Sequence, residues 1–293
     1  MSLCVSTTWT TLAVLDWTTK RFVDANIGGA RLEAQVLLAH ALSCKRIELY
    51  TNFDRPMSEA ELGSYRGLIR RRLAGEPLAY LVGEHEFWSL PFWVTPAVLV
   101  PRADTETLVE TVLARGGAVT TPPGQGRLLD LCTGSGAIAI SLLHQLPGLT
   151  AVATDLSVDA LALAARNAER NAVSARLELR HGDLWAPVAG ERFDLVVSNP
   201  PYIASAVIAT LAAEVRAEPR MALDGGADGL AFYDRIVAQA AQHLVPGGLL
   251  ALEHGFDQAE AVSSRLRAAG FVEVETVMDL GKNPRISLGR SPV

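Results

Sequence analysis

The chain has 293 residues, 49% of them hydrophobic and 20% charged, which is the balance of an ordinary globular protein with room for one large domain or two unequal ones. Its formal net charge of −6, from 26 basic and 32 acidic residues, argues against a protein whose main partner is a nucleic-acid backbone. Cys4, Cys44 and Cys132 lack pair or ligand spacing, so neither a disulfide framework nor a metal site is expected. The start carries no basic n-region before an apolar stretch, and no window reaches the roughly 18 apolar residues of a membrane span, so a cytoplasmic protein with no membrane contact is expected.

From Thr10 to about Leu73 the pattern is helical, with Leu12, Leu15, Phe22 and Val23, then Leu32, Val36, Leu37, Leu38 and Leu42, at three- and four-residue spacings. Ser58 and Glu61 form a capping box that opens a further helix, and Gly75 followed by Glu76-Pro77 stops it. Arg66, Arg70, Arg71 and Arg72 make that helix basic, which ordinarily means a solvated face. Leu78 to Val100 changes character: aromatic residues interleave with turn residues, as in a hairpin or extended connector. Pro101 to Glu110 then opens a helix, with Asp104 or Thr105 as its cap. Residues 116–125, rich in glycine, proline and threonine, read as a loop. Three domains of the chain are expected: 1–88 helical, 89–105 a connector, and 106–293 an α/β domain.

Beyond the loop, strands at Arg127–Leu131, Ala151–Thr154, Ala175–Leu179, Phe193–Val197 and Leu249–Glu253 alternate with helical stretches, the signature of a doubly wound, mostly parallel sheet. Val272–Val277 and Arg285–Leu288 read as a closing antiparallel edge. Ligands in such sheets bind beyond the carboxyl ends of the strands.

The first of those ends carries Asp130-Leu131-Cys132-Thr133-Gly134-Ser135-Gly136, whose glycines let the backbone turn tightly against a ligand. Asp155 ends the next strand, where an acidic residue commonly takes ribose hydroxyls. These residues satisfy a dinucleotide fingerprint as well as an S-adenosylmethionine site, and by themselves leave NAD and S-adenosylmethionine equal. Asp183 and Leu184, after the third strand, offer a carboxylate for an adenine amino group and an apolar face for its ring.

The fourth strand delivers Asn199-Pro200-Pro201-Tyr202, and this, with Asp183 and Leu184, tips the balance. Prolines stiffen the loop, the Asn199 amide oxygen and the Pro200 carbonyl can accept both hydrogens of an NH2 group, and Tyr202 offers a flat face to a planar group. Hydride transfer has no use for such a loop, whereas methyl transfer to an amide nitrogen does. His181, Glu253 and His254 also lie at strand ends, and are expected to be packing or hydrogen-bonding residues, because the reaction leaves them no required role.

Asn-Pro-Pro-Tyr at this place resembles the motif of amino-group methyltransferases that use S-adenosylmethionine. Over nearly its whole length the chain resembles the protein-(glutamine N5) methyltransferases, often called HemK or PrmC. The likeness includes Gly75-Glu76-Pro77-Leu78-Ala79-Tyr80-Leu81, Glu86-Phe87-Trp88, Pro101-Arg102, Asp104-Thr105-Glu106, Glu218-Pro219, and Gly225-Gly226 before Asp228-Gly229. The resemblance implies a class I methyltransferase fold behind a small helical domain that docks a peptide chain release factor, with no direct nucleic-acid contact. It implies S-adenosylmethionine along Cys132, Thr133, Gly134, Ser135 and Gly136 with Asp130, its ribose on Asp155, its adenine beside Asp183 and Leu184, and Asn199 touching both ligands. It further implies that Asn199 and Pro200 hold the glutamine amide of a Gly-Gly-Gln motif, with Pro201 and Tyr202 flanking it, in a monomer. The arginines of the Arg66 to Arg72 helix are docking candidates. A glutamine of a large-subunit ribosomal protein and adenine N6 in nucleic acid are the alternative substrates. Cys132 departs from the family, which usually has glycine there.

Overall fold

The computed structural model describes residues 9–116 and 125–293, and the chain divides into two compact units: Met1–Gly83 with Ala213–Ala217, and Glu84–Ala212 with Glu218–Val293. The first unit contains α1 (Thr11–Asp24), α2 (Ala30–Ala41), α3 (Glu48–Thr51), α4 (Glu59–Leu73) and α5 (Leu78–Val82). Of the spaced apolar residues, Leu15 and Phe22, Leu37 and Leu38, with Tyr65 and Ile69, bury one face of each long helix in a common core, whereas Leu12, Val23 and Leu32, expected in the same faces, are exposed. The capping box forms, with Ser58 N–H donating to the Glu61 carboxylate at 2.8 Å and Glu61 N–H to Ser58 Oγ at 3.3 Å. Gly75 ends α4 at φ +95°, and a Cβ there would stand 2.7 Å from that of Ala213.

Two expectations for this unit are corrected. Arg72 does not belong to a solvated basic face: its side chain is 6% exposed and donates to Glu33 and Glu214, each at 2.6 Å. Its position on α4 aims it at α2, where a carboxylate was needed to offset its burial. Leu78–Val82 is helical rather than extended, because Pro77 sets the entry and Gly83, at φ +82°, closes the turn on the Ala79 carbonyl.

The second unit opens on a hairpin, β1 (Glu84–Phe87) and β2 (Leu90–Trp93), so the stretch expected as a connector starts inside this unit. Its turn residues Trp88 and Ser89 have φ of +53° and +57°, the left-handed pair of a tight hairpin, in residue types that do not advertise it. Next comes α6 (Ala103–Gly116); the loop expected at 116–125 lies largely outside the described residues. The alternation continues with β3 (Gly126–Leu131), α7 (Ala137–Gln145), β4 (Leu149–Asp155), α8 (Val158–Arg170), β5 (Leu177–His181) and β6 (Phe193–Ser198). It ends with α9 (Ala213–Arg216, counted with the first unit), α10 (Ala231–His243), β7 (Leu244–Glu253), α11 (Ala259–Ala268), β8 (Val272–Met278) and β9 (Pro284–Arg290).

Sheet order is β5-β4-β3-β6-β7-β9-β8, parallel through β7, with β9 antiparallel to both neighbours. The expected antiparallel pair is present, with β9 inside and β8 at the edge. Strand side chains alternate between two cores: Leu128, Leu195 and Leu249 face α6 and α7, while Leu129, Val196 and Leu250 face α10 and α11. Strand order reverses between β3 and β6, so the crevice beyond their carboxyl ends is where this architecture admits a ligand. This is the class I methyltransferase arrangement, preceded by a helical unit.

Candidate active site

A cavity of about 400 Å³ opens at those strand ends. The turn after β3 contributes Cys132, Thr133, Gly134 and Ser135, and the end of β4 contributes Asp155 and Leu156. Asp183 and Leu184, after β5, and Asn199 and Pro201, after β6, complete the nominated residues that line it. Asp130, Gly136, Pro200 and Tyr202 are not in the lining.

The β3 turn is held from beneath. Gly134, at φ +56°, donates its N–H to Asp155 Oδ2 at 2.8 Å, and Ser157 N–H donates to Oδ1 at 2.9 Å, so one carboxylate pins two strand ends together. Burial raises the Asp155 pKa, and the N–H groups of Ser157 and Gly134 pull against that rise. Gly136, at φ +81°, starts α7; a Cβ there would meet Ile140 Cδ1 at 2.8 Å. Asp130 is wholly buried under the turn, accepts from Thr133 Oγ1 at 2.6 Å, and is pushed by burial to a pKa of about 7. It therefore supports the loop from below.

Cys132 sits at φ +60°. Glycine adopts that conformation freely, whereas a residue with a Cβ gives up about 1 kcal/mol, which is the physical meaning of the departure noted in the sequence. Burial pushes the Cys132 thiol well above its ordinary pKa, so it stays protonated at neutral pH. Asp183 is ion-paired with Arg235 of α10, while Leu184 is buried.

On the other wall, Asn199 Nδ2 donates to Thr105 Oγ1 at 3.2 Å, and Oδ1 accepts no hydrogen bond among the described residues. The helix α6 begins at Ala103, which puts Asp104 and Thr105 inside its first turn and corrects their reading as caps. Thr105 is 4% exposed and serves Asn199, and Asp104 pairs with Arg285 of β9 at 3.0 Å. Tyr202 packs against the core on the α10 face, and its carbonyl accepts from Gln258 Nε2 at 3.0 Å. Residues 223–226 back the loop: Ile203 N–H donates to the Leu223 carbonyl at 2.9 Å, and Gly225 N–H to that of Ile203 at 2.8 Å. His181 and His254 fit their expectation, His181 Nε2 lying 3.0 Å from the Leu156 carbonyl and His254 Nε2 3.0 Å from Ser287 Oγ.

Sequence reasoning missed Thr105, Leu156 and Phe232 in the lining. Leu156 left a signal, an apolar residue directly after a strand-ending aspartate; Phe232 left none, because its helix reads as ordinary core.

Among the described residues, no group of three or more His, Cys, Asp or Glu side chains is arranged to hold a metal ion, and no helix is long and apolar enough to cross a membrane. Residues 13–83 match the PrmC N-terminal domain, and residues 104–227 match the methyltransferase small domain. Among solved structures, the hMettl16 catalytic domain is similar at a TM-score of 0.59 and 18% identity, covering 81% of this chain and 94% of that one. A methyltransferase from Pyrococcus furiosus is similar at a TM-score of 0.52 and 20% identity, covering 70% and 90%. These likenesses show the fold alone. A release factor glutamine methyltransferase of Geobacter sulfurreducens is 46% identical over 283 residues, 96% of this chain and 97% of that protein. Proteins of the same name from Moorella thermoacetica and Salmonella typhimurium are 47% and 42% identical, over 88% and 89% of this chain and 90% and 92% of theirs. With a methyltransferase fold, a cavity at its strand reversal and identity of this level from end to end, the chain belongs to the release factor glutamine methyltransferase family.

Proposed function

We propose that the protein transfers a methyl group from S-adenosylmethionine to the N5 side-chain amide of the glutamine in the Gly-Gly-Gln motif of peptide chain release factors. The observation that carries this reading is the placement of Asn199: it lines the cavity, its amide nitrogen donates to Thr105, and its Oδ1 accepts no hydrogen bond among the described residues, which leaves that oxygen free as an acceptor. An acceptor there suits a substrate that presents an NH2 group.

The residues present fit the cofactor. The cavity has the volume of a small-molecule site, a tight glycine turn precedes the amino terminus of α7, and the acidic Asp155 ends the neighbouring strand. In this reading Cys132, Thr133, Gly134 and Ser135 lie along the cofactor, Gly136 and Asp130 shape that turn, Asp155 takes the ribose, and Asp183 with Leu184 flanks the adenine. S-adenosylmethionine, when bound, supplies a methyl group on an activated sulfonium, with S-adenosylhomocysteine as the product. Asn199 Oδ1 accepts one amide hydrogen and, although Pro200 is not itself among the residues lining the cavity, its carbonyl is taken to accept the other, which helps the nitrogen become tetrahedral as its lone pair forms the new bond. Pro201 and Tyr202 keep the loop stiff and placed. The methylated nitrogen then releases a proton to solvent. The apolar lining excludes water from the reacting atoms.

The helical unit is taken to dock the release factor, in a cytoplasmic monomer. Because Arg72 is buried among carboxylates, the exposed Arg66 and Arg70 are the better docking candidates. Their joint replacement by alanine is expected to raise KM for intact release factor several-fold; an unchanged KM removes them from that role.

The reading is tested by methyl transfer from labelled S-adenosylmethionine to purified release factor, with the Gly-Gly-Gln glutamine intact or replaced. Large-subunit ribosomal protein and adenine-containing DNA serve as rivals. Label confined to the intact release factor is the expected result, and label on either rival overturns the substrate.

A further inference from the structure

We propose that Glu253 is a positioning residue for the methyl transfer, an acceptor behind Asn199 that fixes which end of the Asn199 amide faces the substrate. This rests on the reading of Asn199 given above and goes beyond it, because the reaction as drawn needs nothing from Glu253.

The placement follows from strand register. Ser198 of β6 pairs with Leu252 of β7, so Asn199, the first residue beyond β6, comes beside Glu253, the last residue of β7, which is still paired with Ile286 of β9. Glu253 is 1% exposed, and neither carboxylate oxygen has a hydrogen-bond partner among the described residues. A buried carboxyl group with no full partner is costly, and such groups persist where something beyond packing keeps them. Burial raises its pKa to about 7, and the side chains of Thr105 and Asn199, with Arg285, act to lower it while Asp104 opposes them. Every element packed around it contributes: Asp104 and Thr105 from α6, Arg285 from β9, Asn199 and Tyr202 from the end of β6, and Tyr233 of α10, which donates to the Glu253 backbone carbonyl at 2.8 Å.

The logic is one of donors and acceptors. An asparagine amide is nearly symmetric in shape, so only its neighbours decide whether oxygen or nitrogen faces the cavity. An ionised carboxylate accepts and cannot donate. Next to Glu253 and Thr105, the amide is held with Nδ2 inward and Oδ1 toward the ligand. Once protonated, Glu253 gains an O–H donor, the flipped amide becomes acceptable, and the flipped amide would turn an N–H toward the substrate NH2 group.

Activity is therefore expected to rise with pH through about 7, the value for Glu253, as the carboxylate forms. Glu253→Gln has nearly the same shape and cannot ionise. It is expected to lower kcat about tenfold, to leave cofactor affinity and thermal stability near wild type, and to flatten the pH profile. The test is a double-mutant cycle with Asn199→Ala, accompanied by selective 15N labelling of asparagine. In the Asn199→Ala background Glu253→Gln is expected to cost nothing further. The Asn199 side-chain NH2 signal of the wild type is expected to titrate near pH 7, and that of Glu253→Gln to stay fixed. A full additional loss in the double variant, or a pH profile that Glu253→Gln leaves sloped, overturns the role; the second outcome would move the titration to Asp130, whose pKa is also about 7. Normal turnover in Asn199→Ala alone would mean that the reading of the site had failed first.

Discussion

Asn199→Ala is expected to lower turnover on the release factor by about 100-fold or more while leaving S-adenosylmethionine affinity within a few-fold of wild type. The asymmetry comes from where the side chain sits. Its nitrogen is tied to Thr105 on α6, and its oxygen is the acceptor proposed for the amide hydrogens as the nitrogen pyramidalises. A hydrogen bond that strengthens only as charge develops contributes to kcat and little to ground-state binding. The side of the cavity proposed for the cofactor is held independently, by the Asp155 bridge to Gly134 and Ser157, and should not notice the change. Single-turnover transfer together with a calorimetric titration of cofactor separates the two quantities. Near-normal turnover would remove Asn199 from the chemistry, and loss of cofactor affinity by a similar factor would recast it as a cofactor ligand.

Gly229→Ala should be nearly as damaging, although Gly229 does not line the cavity. A Cβ at this position would lie 2.3 Å from the Tyr202 carbonyl oxygen and 2.7 Å from Gln258 Nε2, and the backbone is at φ +78°. The left-handed conformation alone costs about 1 kcal/mol. The clash must be relieved by moving the backbone of Tyr202, since a carbonyl oxygen in a hydrogen-bonded loop has no rotamer to change. A total destabilisation of about 2–4 kcal/mol is expected, with turnover down at least about tenfold as the loop carrying Asn199 shifts. Gly190→Ala is the control: φ there is +79°, but nothing lies within 4 Å of the added Cβ, so only the conformational cost remains. Equal melting temperatures for the two variants would show that the loop yields freely, and with it the argument for a rigid acceptor would fall.

Both predictions turn on a distinction between what a linear pattern carries and what a packed chain adds. Period-2 and period-3.6 apolar spacing in the sequence was enough to place the parallel strands, the helices between them and the helical front unit, because burial of one face is a local demand on every element. The strand-end motifs were legible for a related reason. Topology puts strand ends at the ligand crevice, so Cys132 to Ser135, Asp155, Asp183 and Asn199 could be nominated before any contact was known, and all of them line one cavity. Arg72 shows the limit: in sequence it is one of a run of exposed cations, and only the approach of Glu33, 39 residues away, makes it a buried one.

Thr105 shows it more clearly. As a hydroxyl near a helix start it has a sufficient local explanation, and nothing within ten residues reveals that Asn199, 94 residues on, will need an acceptor for its nitrogen. Glu253 was set aside for the same reason, since a strand-ending carboxylate has no stated partner until register brings β7 beside β6. The sequence by itself determined most of the elements, the fold class and the strand-end residues that line the cavity, all consequences of local patterning and chain topology. Only the tertiary structure decided that the Asn199 nitrogen is tied to Thr105, which carboxylates are buried or paired and which glycines support the loop, because those depend on desolvation and on contacts between residues far apart in the chain.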